Sequence, residues 1–274
     1  MDWERRVRQS FRWSTQRFTA VERPVFQYEN PKHPLNWGDV VGGDIAQHVS
    51  GLSIEVTTDP YAGGKVLAIG SVMDFAFPGD IVWGAGCIRA KSTGHAGRRL
   101  DVRAVRGPET RLAMQKAGYD VPAVFGDPAL FYPEIKPREG HKQEACWGIV
   151  PHYTDVDHPV LEKWAQSGAV IIDICAGVNA FIEQLLSVDR IVSSSLHGLI
   201  MADAYGIPNA RVTFHDRLFG GDFKFRDYAK SIGREHWMSQ PVGIEWTLAD
   251  LDKVPLRDDF KLDLEPLREA VPFK

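Results

Sequence analysis

The chain has 274 residues, 44% of them hydrophobic, with 32 Lys and Arg against 36 Asp and Glu. That length suits two domains with a sizeable core, and a net charge of −4 argues against a nucleic-acid binder. Three scattered cysteines, Cys87, Cys146 and Cys175, without CxxC spacing, argue against a disulfide framework or a zinc site and point to the cytoplasm. No apolar run reaches the roughly 18 residues of a bilayer span.

The N-terminus, MDWERRVRQSFRWSTQRF, carries five arginines against Asp2 and Glu4, interleaved with Trp3, Phe11, Trp13 and Phe18. It lacks the apolar centre of a signal peptide. Two readings stand: an exposed segment whose aromatics pack on the domain, or a peripheral contact with an anionic membrane surface at the inner face of the cell membrane.

Residues 65–71, 80–86 and 101–106 read as buried strands ending at glycine turns. Gly107-Pro108-Glu109-Thr110 then opens a helix over 111–117, with Pro108 suited to its first turn. A strand over 121–125 ends at Gly126-Asp127-Pro128. A hydrophilic, proline-marked stretch near 135–143 is the best linker. The pattern then restarts, with strands at 146–150, 169–174, 190–193 and 210–214 and helices at about 158–167, 178–187 and 198–205. Alternating strands and helices imply parallel sheets. The expected fold class is α/β, with two Rossmann-like domains facing a cleft, 1–138 and 139–274. The acidic, proline-punctuated tail from Ala249 is expected to pack back.

Ligands of open α/β sheets sit beyond the carboxyl ends of the strands. Gly70-Ser71, Gly84-Ala85-Gly86, Arg106-Gly107, Gly126-Asp127, Pro151-His152-Tyr153 and the stretch 193–197 all fall there. Familiar motifs are not met. Gly84-Ala85-Gly86-Cys87-Ile88-Arg89 has arginine where a dinucleotide fingerprint needs glycine, and Gly63-Gly64-Lys65-Val66 lacks the rest of a P-loop. Asp155 and Asp157 form a D-x-D that could share a hard cation. The simpler reading has Asp157 capping a helix that starts near Pro159.

Between Arg89 and Arg111 seven basic residues face only Asp101 and Glu109, and Arg98 and Arg99 read as solvated surface. Arg106 differs, because it stands at a strand end beside a helix N-terminus. A guanidinium there could grip a small anion with two parallel hydrogen bonds, or close a buried salt bridge between strands.

Asn36-Trp37-Gly38-Asp39, Val105-Arg106-Gly107-Pro108-Glu109-Thr110, Gly126-Asp127-Pro128-Ala129-Leu130, Pro151-His152-Tyr153 and the stretch 193–208 occur in that order. Together they resemble the polysaccharide pyruvyl transferases, most closely the exopolysaccharide branch. The resemblance implies a glycosyltransferase-B-like fold with its active site between the domains. It also implies phosphoenolpyruvate as donor substrate, no cofactor and no metal. The acceptor would be a saccharide of an exopolysaccharide or its lipid-linked repeat unit, bridged by a pyruvate ketal. His197 would be the proton donor to the methylene carbon; its bland role is a helix-cap histidine. Ser193, Ser194 and Ser195 would cradle phosphate, at least one doubling as an N-cap. Arg106 would hold the donor. Several members place an arginine where Ser195 stands, so Arg103, Arg89 or Arg226 would replace it. Asn36 and Asp39, on a loop over 36–43, would hold acceptor hydroxyls or shape a turn. Asp127 would be a base toward a sugar hydroxyl or an ordinary turn residue. His152 joins the substrate-binding set, with His215 and Asp216 weaker candidates. A nucleotide-sugar glycosyltransferase of the same fold and a non-catalytic sugar-binding or scaffold protein are the competing readings. The first would want a basic or glycine-rich diphosphate grip in the second domain.

Overall fold

Strands buried on both faces carry near-continuous apolar runs, and these form two separate parallel sheets. The computed structural model describes residues 23–95, 99–215, 220–234 and 239–273. The N-terminal segment with its membrane reading, Arg98 and Asp216 lie outside them.

The first half runs β1 (Val25–Phe26), α1 (Trp37–Val40), α2 (Gly42–Ser50), β2 (Val56–Thr57), β3 (Val66–Leu67), β4 (Ile81–Trp83), β5 (Asp101–Ala104), α3 (Pro108–Lys116) and α4 (Tyr132–Ile135). The second runs β6 (Ala145–Val150), α5 (Pro159–Gln166), β7 (Val170–Ile171), α6 (Val178–Leu186), β8 (Val188–Ser193), α7 (Leu196–Ala204), β9 (Asn209–Thr213), α8 (Phe223–Ser231), β10 (Gln240–Pro241) and α9 (Glu265–Glu269).

The strand orders are β2-β1-β3-β4-β5 and β10-β9-β8-β6-β7. Counted from its own first strand, each sheet therefore has the doubly wound order 2-1-3-4-5, whose switch point lies between first and third strands. The two halves repeat one another in topology, although no repeat is visible in sequence.

Two later segments return to the first half. Helix α8 packs on α3, and Asp227 of α8 reaches Arg106 and Thr110. Helix α9 lies against the first sheet, where Trp83 donates to the Leu267 carbonyl at 2.8 Å. One buried apolar cluster consequently extends from Val25, Trp37 and Trp83 to Phe181, Leu199 and Phe273.

Several local expectations are corrected. Residues 37–50 form two helices, where a loop over 36–43 was expected. The segment 121–125 contributes a single bridge, Val105 to Phe125. Helix α5 is capped by His158, whose ring accepts from Val160 N–H, and Asp157 is exposed. Helix α7 begins at Leu196, two residues earlier than expected, so His197 stands in its first turn. Gly198 permits this, because a Cβ there would lie 2.4 Å from Ser193 Oγ and 2.7 Å from Val150.

Candidate active site

The carboxyl ends of the two switch points face each other across a cleft of about 360 Å³. Chain leaving β1 and β3 contributes Tyr28, Gly70 and Ser71 to its wall. Chain leaving β6 and β8 contributes His152, Tyr153, Ser195 and His197. Asn36, Asp39, Asp74 and Lys224 complete the polar lining.

Each residue of Asn36-Trp37-Gly38-Asp39 has its own position. Asn36 donates from Nδ2 to Asp39 Oδ2 at 2.7 Å, and both side chains line the cleft. Trp37 is fully buried, edge-on to Tyr132 at 5.1 Å, and its N–H bonds to the Ile174 carbonyl of the other half. Gly38 leaves the space that the His197 ring occupies. Burial pushes the Asp39 carboxyl above its ordinary range, opposed by His197, Asn36 and Lys224.

The three serines divide their tasks. Ser193 Oγ donates toward the carbonyls of Val150 and Ser195 and accepts from Ser195 N–H, which locks the elbow. Ser194 Oγ donates to Asp155 Oδ2 at 2.5 Å and accepts from His152 N–H at 2.9 Å. Asp155 also pairs with His215 Nε2 at 2.6 Å, so this network ties the loop after β6 to the loop after β9. Of the three serines only Ser195 lines the cleft. It stands at the N-cap position of α7 in extended conformation, and its side chain makes no capping bond. Asp155 is buried in its network while Asp157 faces solvent, so the D-x-D carboxylates do not converge.

His197 lines the cleft with its Nε2 buried and without a hydrogen-bond partner. That nitrogen lies 3.7 Å from Asp127 Oδ2, which is equally buried and unpartnered. The other oxygen, Oδ1, accepts from Ala129 N–H and caps the 3-10 turn Pro128–Phe131. Asp127 thus serves its turn with one oxygen and faces the histidine with the other. It is fully buried and reaches the cleft only through that ring, which removes it from direct contact with a sugar hydroxyl.

Arg106 is also fully buried. Its Nε donates to Asp227 Oδ2 at 3.0 Å, Nη1 to Ser71 Oγ at 2.7 Å and Nη2 to the Cys87 carbonyl at 2.7 Å. Thr110 adds two bonds to the same carboxylate, from its N–H at 2.8 Å and its hydroxyl at 2.7 Å. Gly107 passes so close that a Cβ would lie 2.0 Å from the Asp227 carbonyl oxygen. Glu109 pairs with Arg226 and Lys230 of the same helix. The Arg106–Thr110 motif therefore clamps α8, and the buried-salt-bridge reading describes where Arg106 sits. Arg103 is turned toward Asp101 and the Val271 carbonyl, away from the cleft.

The residue that sequence reasoning missed is Lys224. It is the sole lysine or arginine among the described cleft-lining residues. Burial, with Arg106 and Arg211 nearby, pushes its ammonium down to about 8, opposed by Asp39 and Asp155. His152 is pushed down to about 3 by burial and by Lys224, so it is neutral at pH 7. Its ring stands 4.1 Å from that of Tyr153, which stacks on His33 at 4.3 Å. Tyr28 stacks on Phe75 at 5.4 Å, and both line the cleft. A single lysine between Phe223 and Phe225, in a segment of mixed charge, carried no signal in sequence.

The cleft's elbow and clamp both lie in a recognisable stretch of chain. Residues 89–215 match the polysaccharide pyruvyl transferase family. The resemblance drawn from the motifs is thereby borne out. Among curated proteins, the chain is similar to the uncharacterized protein L143 of Acanthamoeba polyphaga mimivirus, 29% identical over 174 residues, covering 61% of this chain and 60% of L143. It is also similar to the succinoglycan biosynthesis protein ExoV of Rhizobium meliloti (strain 1021), 27% identical over 140 residues, covering 50% of this chain and 42% of ExoV. The chain thus spans about half the length of these curated relatives. The pyruvyl transferase match takes in Arg106, Asp127, His152, the three serines and His197. Asn36, Asp39 and Lys224 fall outside it, and the tertiary structure alone brings them to the same cleft. No helix among the described residues is long and apolar enough to cross a membrane.

Proposed function

We propose that this chain transfers pyruvate from phosphoenolpyruvate to a sugar residue of an exopolysaccharide or its lipid-linked repeat unit, closing a pyruvate ketal on two sugar hydroxyls. In this reading the facing doubly wound sheets are a glycosyltransferase-B-like pair, the enzyme works in the cytoplasm, and it needs no cofactor. The observation that carries it is the His197 ring, which borders the cleft inside the family-matched segment with Nε2 held toward Asp127.

A proton is delivered to the methylene carbon of the donor and a sugar hydroxyl adds to its central carbon, losing its own proton. The C–O bond to phosphate then breaks, inorganic phosphate leaves, and the second hydroxyl closes the ring with loss of its proton. Imidazole suits such a delivery near neutral pH. Asp127 orients the ring, as a carboxylate behind a catalytic histidine does in other folds. Ser195 and the first-turn N–H groups of α7 favour the anionic donor. Asn36 and Asp39 face the sugar hydroxyls, and Tyr28, Phe75 and Tyr153 offer flat apolar surface to a sugar ring.

Calorimetric titration with phosphoenolpyruvate and with nucleotide sugars tests the reading. Binding of phosphoenolpyruvate supports it. Binding of a nucleotide sugar without phosphoenolpyruvate overturns it in favour of a glycosyltransferase.

A further inference from the structure

The sequence points to an arginine grip for the anionic donor, yet Arg106 is consumed by Asp227, Arg103 faces the C-terminal tail, and Arg226 pairs with Glu109. Ser195 supplies a hydroxyl but no charge. The described lining of the cleft nevertheless holds one lysine, Lys224, together with Ser195 and His197.

Lys224 comes from α8, a helix that follows the second sheet in sequence but packs on the first half. Its placement is enforced. Asp227 lies one helical turn beyond Lys224 and receives bonds from Arg106 and from both donors of Thr110, all in the buried interior. Residues three apart share a helix face, so the clamp that holds Asp227 also aims Lys224. Ser71 joins clamp and cleft, because it accepts from Arg106 and lines the wall. Arg106 and Arg211 nearby are each paired, with Asp227 and Asp222, so Lys224 stands as the cation of the lining, with Asp39 and Asp74 its acidic members.

We infer that Lys224 is the donor-binding cation of this site, and that the Arg106–Thr110 motif positions it through Asp227. The inference rests on the pyruvyl transfer reading. A lysine suits the role, since a compact ammonium acts as a point charge toward phosphate or carboxylate. It also gives the motif a purpose beyond stability, because a buried ion pair is weak evidence of stabilisation by itself.

The test is calorimetric titration of phosphoenolpyruvate into the wild-type chain, Lys224→Met and Lys224→Arg, with melting temperatures recorded alongside. The expected result is binding by wild type, a loss of roughly thirtyfold or more in Lys224→Met, and binding by Lys224→Arg closer to wild type than to Lys224→Met. Lys224→Met should melt near the wild-type temperature, since the side chain is half-buried at the cleft wall and its ammonium has no ion-pair partner to lose among the described residues. Should it fail to fold, Lys224→Gln takes its place. Equal affinity in wild type and Lys224→Met overturns the inference and leaves the pyruvyl transfer reading standing. Absence of binding by wild type overturns that reading, and the assignment of Lys224 with it.

Discussion

A Cβ atom on Gly38 would sit 1.8 Å from Nδ1 of His197, so the first half of the chain leaves a gap that the imidazole of the second half fills. Gly38 needs no left-handed backbone; its role is space. Gly38→Ala is therefore expected to push the ring away from Asp127. A misplacement of about 1 Å costs on the order of a hundredfold in rate, and overpacking costs about 1–3 kcal/mol of stability. Phosphate release from phosphoenolpyruvate and a thermal melt read the two effects, and wild-type turnover in a folded Gly38→Ala protein would contradict the arrangement.

His197 and Asp127 should separate kinetically. His197→Asn removes the proton donor and is expected to lower phosphate release by roughly 10²–10⁴-fold with folding retained. Asp127→Asn keeps an oxygen for the Ala129 N–H. It should lower kcat while leaving KM near wild type, since Asp127 does not line the cleft. A change in KM alone would place Asp127 on the substrate.

Arg106 and Asp227 form a fully buried pair. Removing one partner of such a pair costs about 3–5 kcal/mol. Arg106→Ala and Asp227→Asn should both show a large drop in urea midpoint, without needing any substrate for the measurement. A near-neutral Asp227→Asn would mean that α8 is held by its apolar face alone.

Donor affinity should depend on pH through Lys224. Its ammonium is pushed down to about 8 in the free protein, facing Asp39, Asp155, Arg106, Arg211 and neutral His152. A bound anion favours the charged form, so binding takes up a proton above that pH. Affinity is expected to be level near pH 7 and to fall as pH rises above about 8. Stability moves the other way: the folded value lies below the unfolded one of about 10.4, so the unfolded chain holds more protons between them and the Lys224 contribution rises with pH across that window. Titrations at pH 7, 8 and 9 check the first trend, and Lys224→Met should flatten it.

The cysteines should label unequally. Cys146 is exposed, whereas burial pushes the Cys87 thiol up to about 12 and that of Cys175 up to about 11. Since the thiolate is the reactive form, a native-state thiol titration should find one fast group, Cys146, and all three only after denaturation. Rapid labelling of Cys87 in the folded protein would contradict its burial beneath Thr110.

Much of the second sheet was legible because its strands are longer runs of Ile and Val flanked by glycine and polar turns, as at β6 and β8. The first sheet was harder. Strands β1 and β2 are two residues each, too short for any periodicity, and the pairing of β1 with β2 and β3 comes from packing. Helix α8 went unread because its apolar face, Phe223 and Phe225 with Tyr228, has meaning only against the first half.

Local chemistry determined the α/β rhythm, the glycine-ended strands, the serine-rich elbow and the family resemblance, since each depends on neighbours within a few residues. Tertiary structure decided the rest. It made Arg106 a clamp, placed Asp127 behind His197, left only Ser195 of three serines at the cleft, and brought Lys224 there from a helix that crosses between halves. Which polar side chain faces a ligand and which is spent on its own protein is set by contacts more than a hundred residues apart, as between Arg106 and Asp227, and these follow from how two sheets pack.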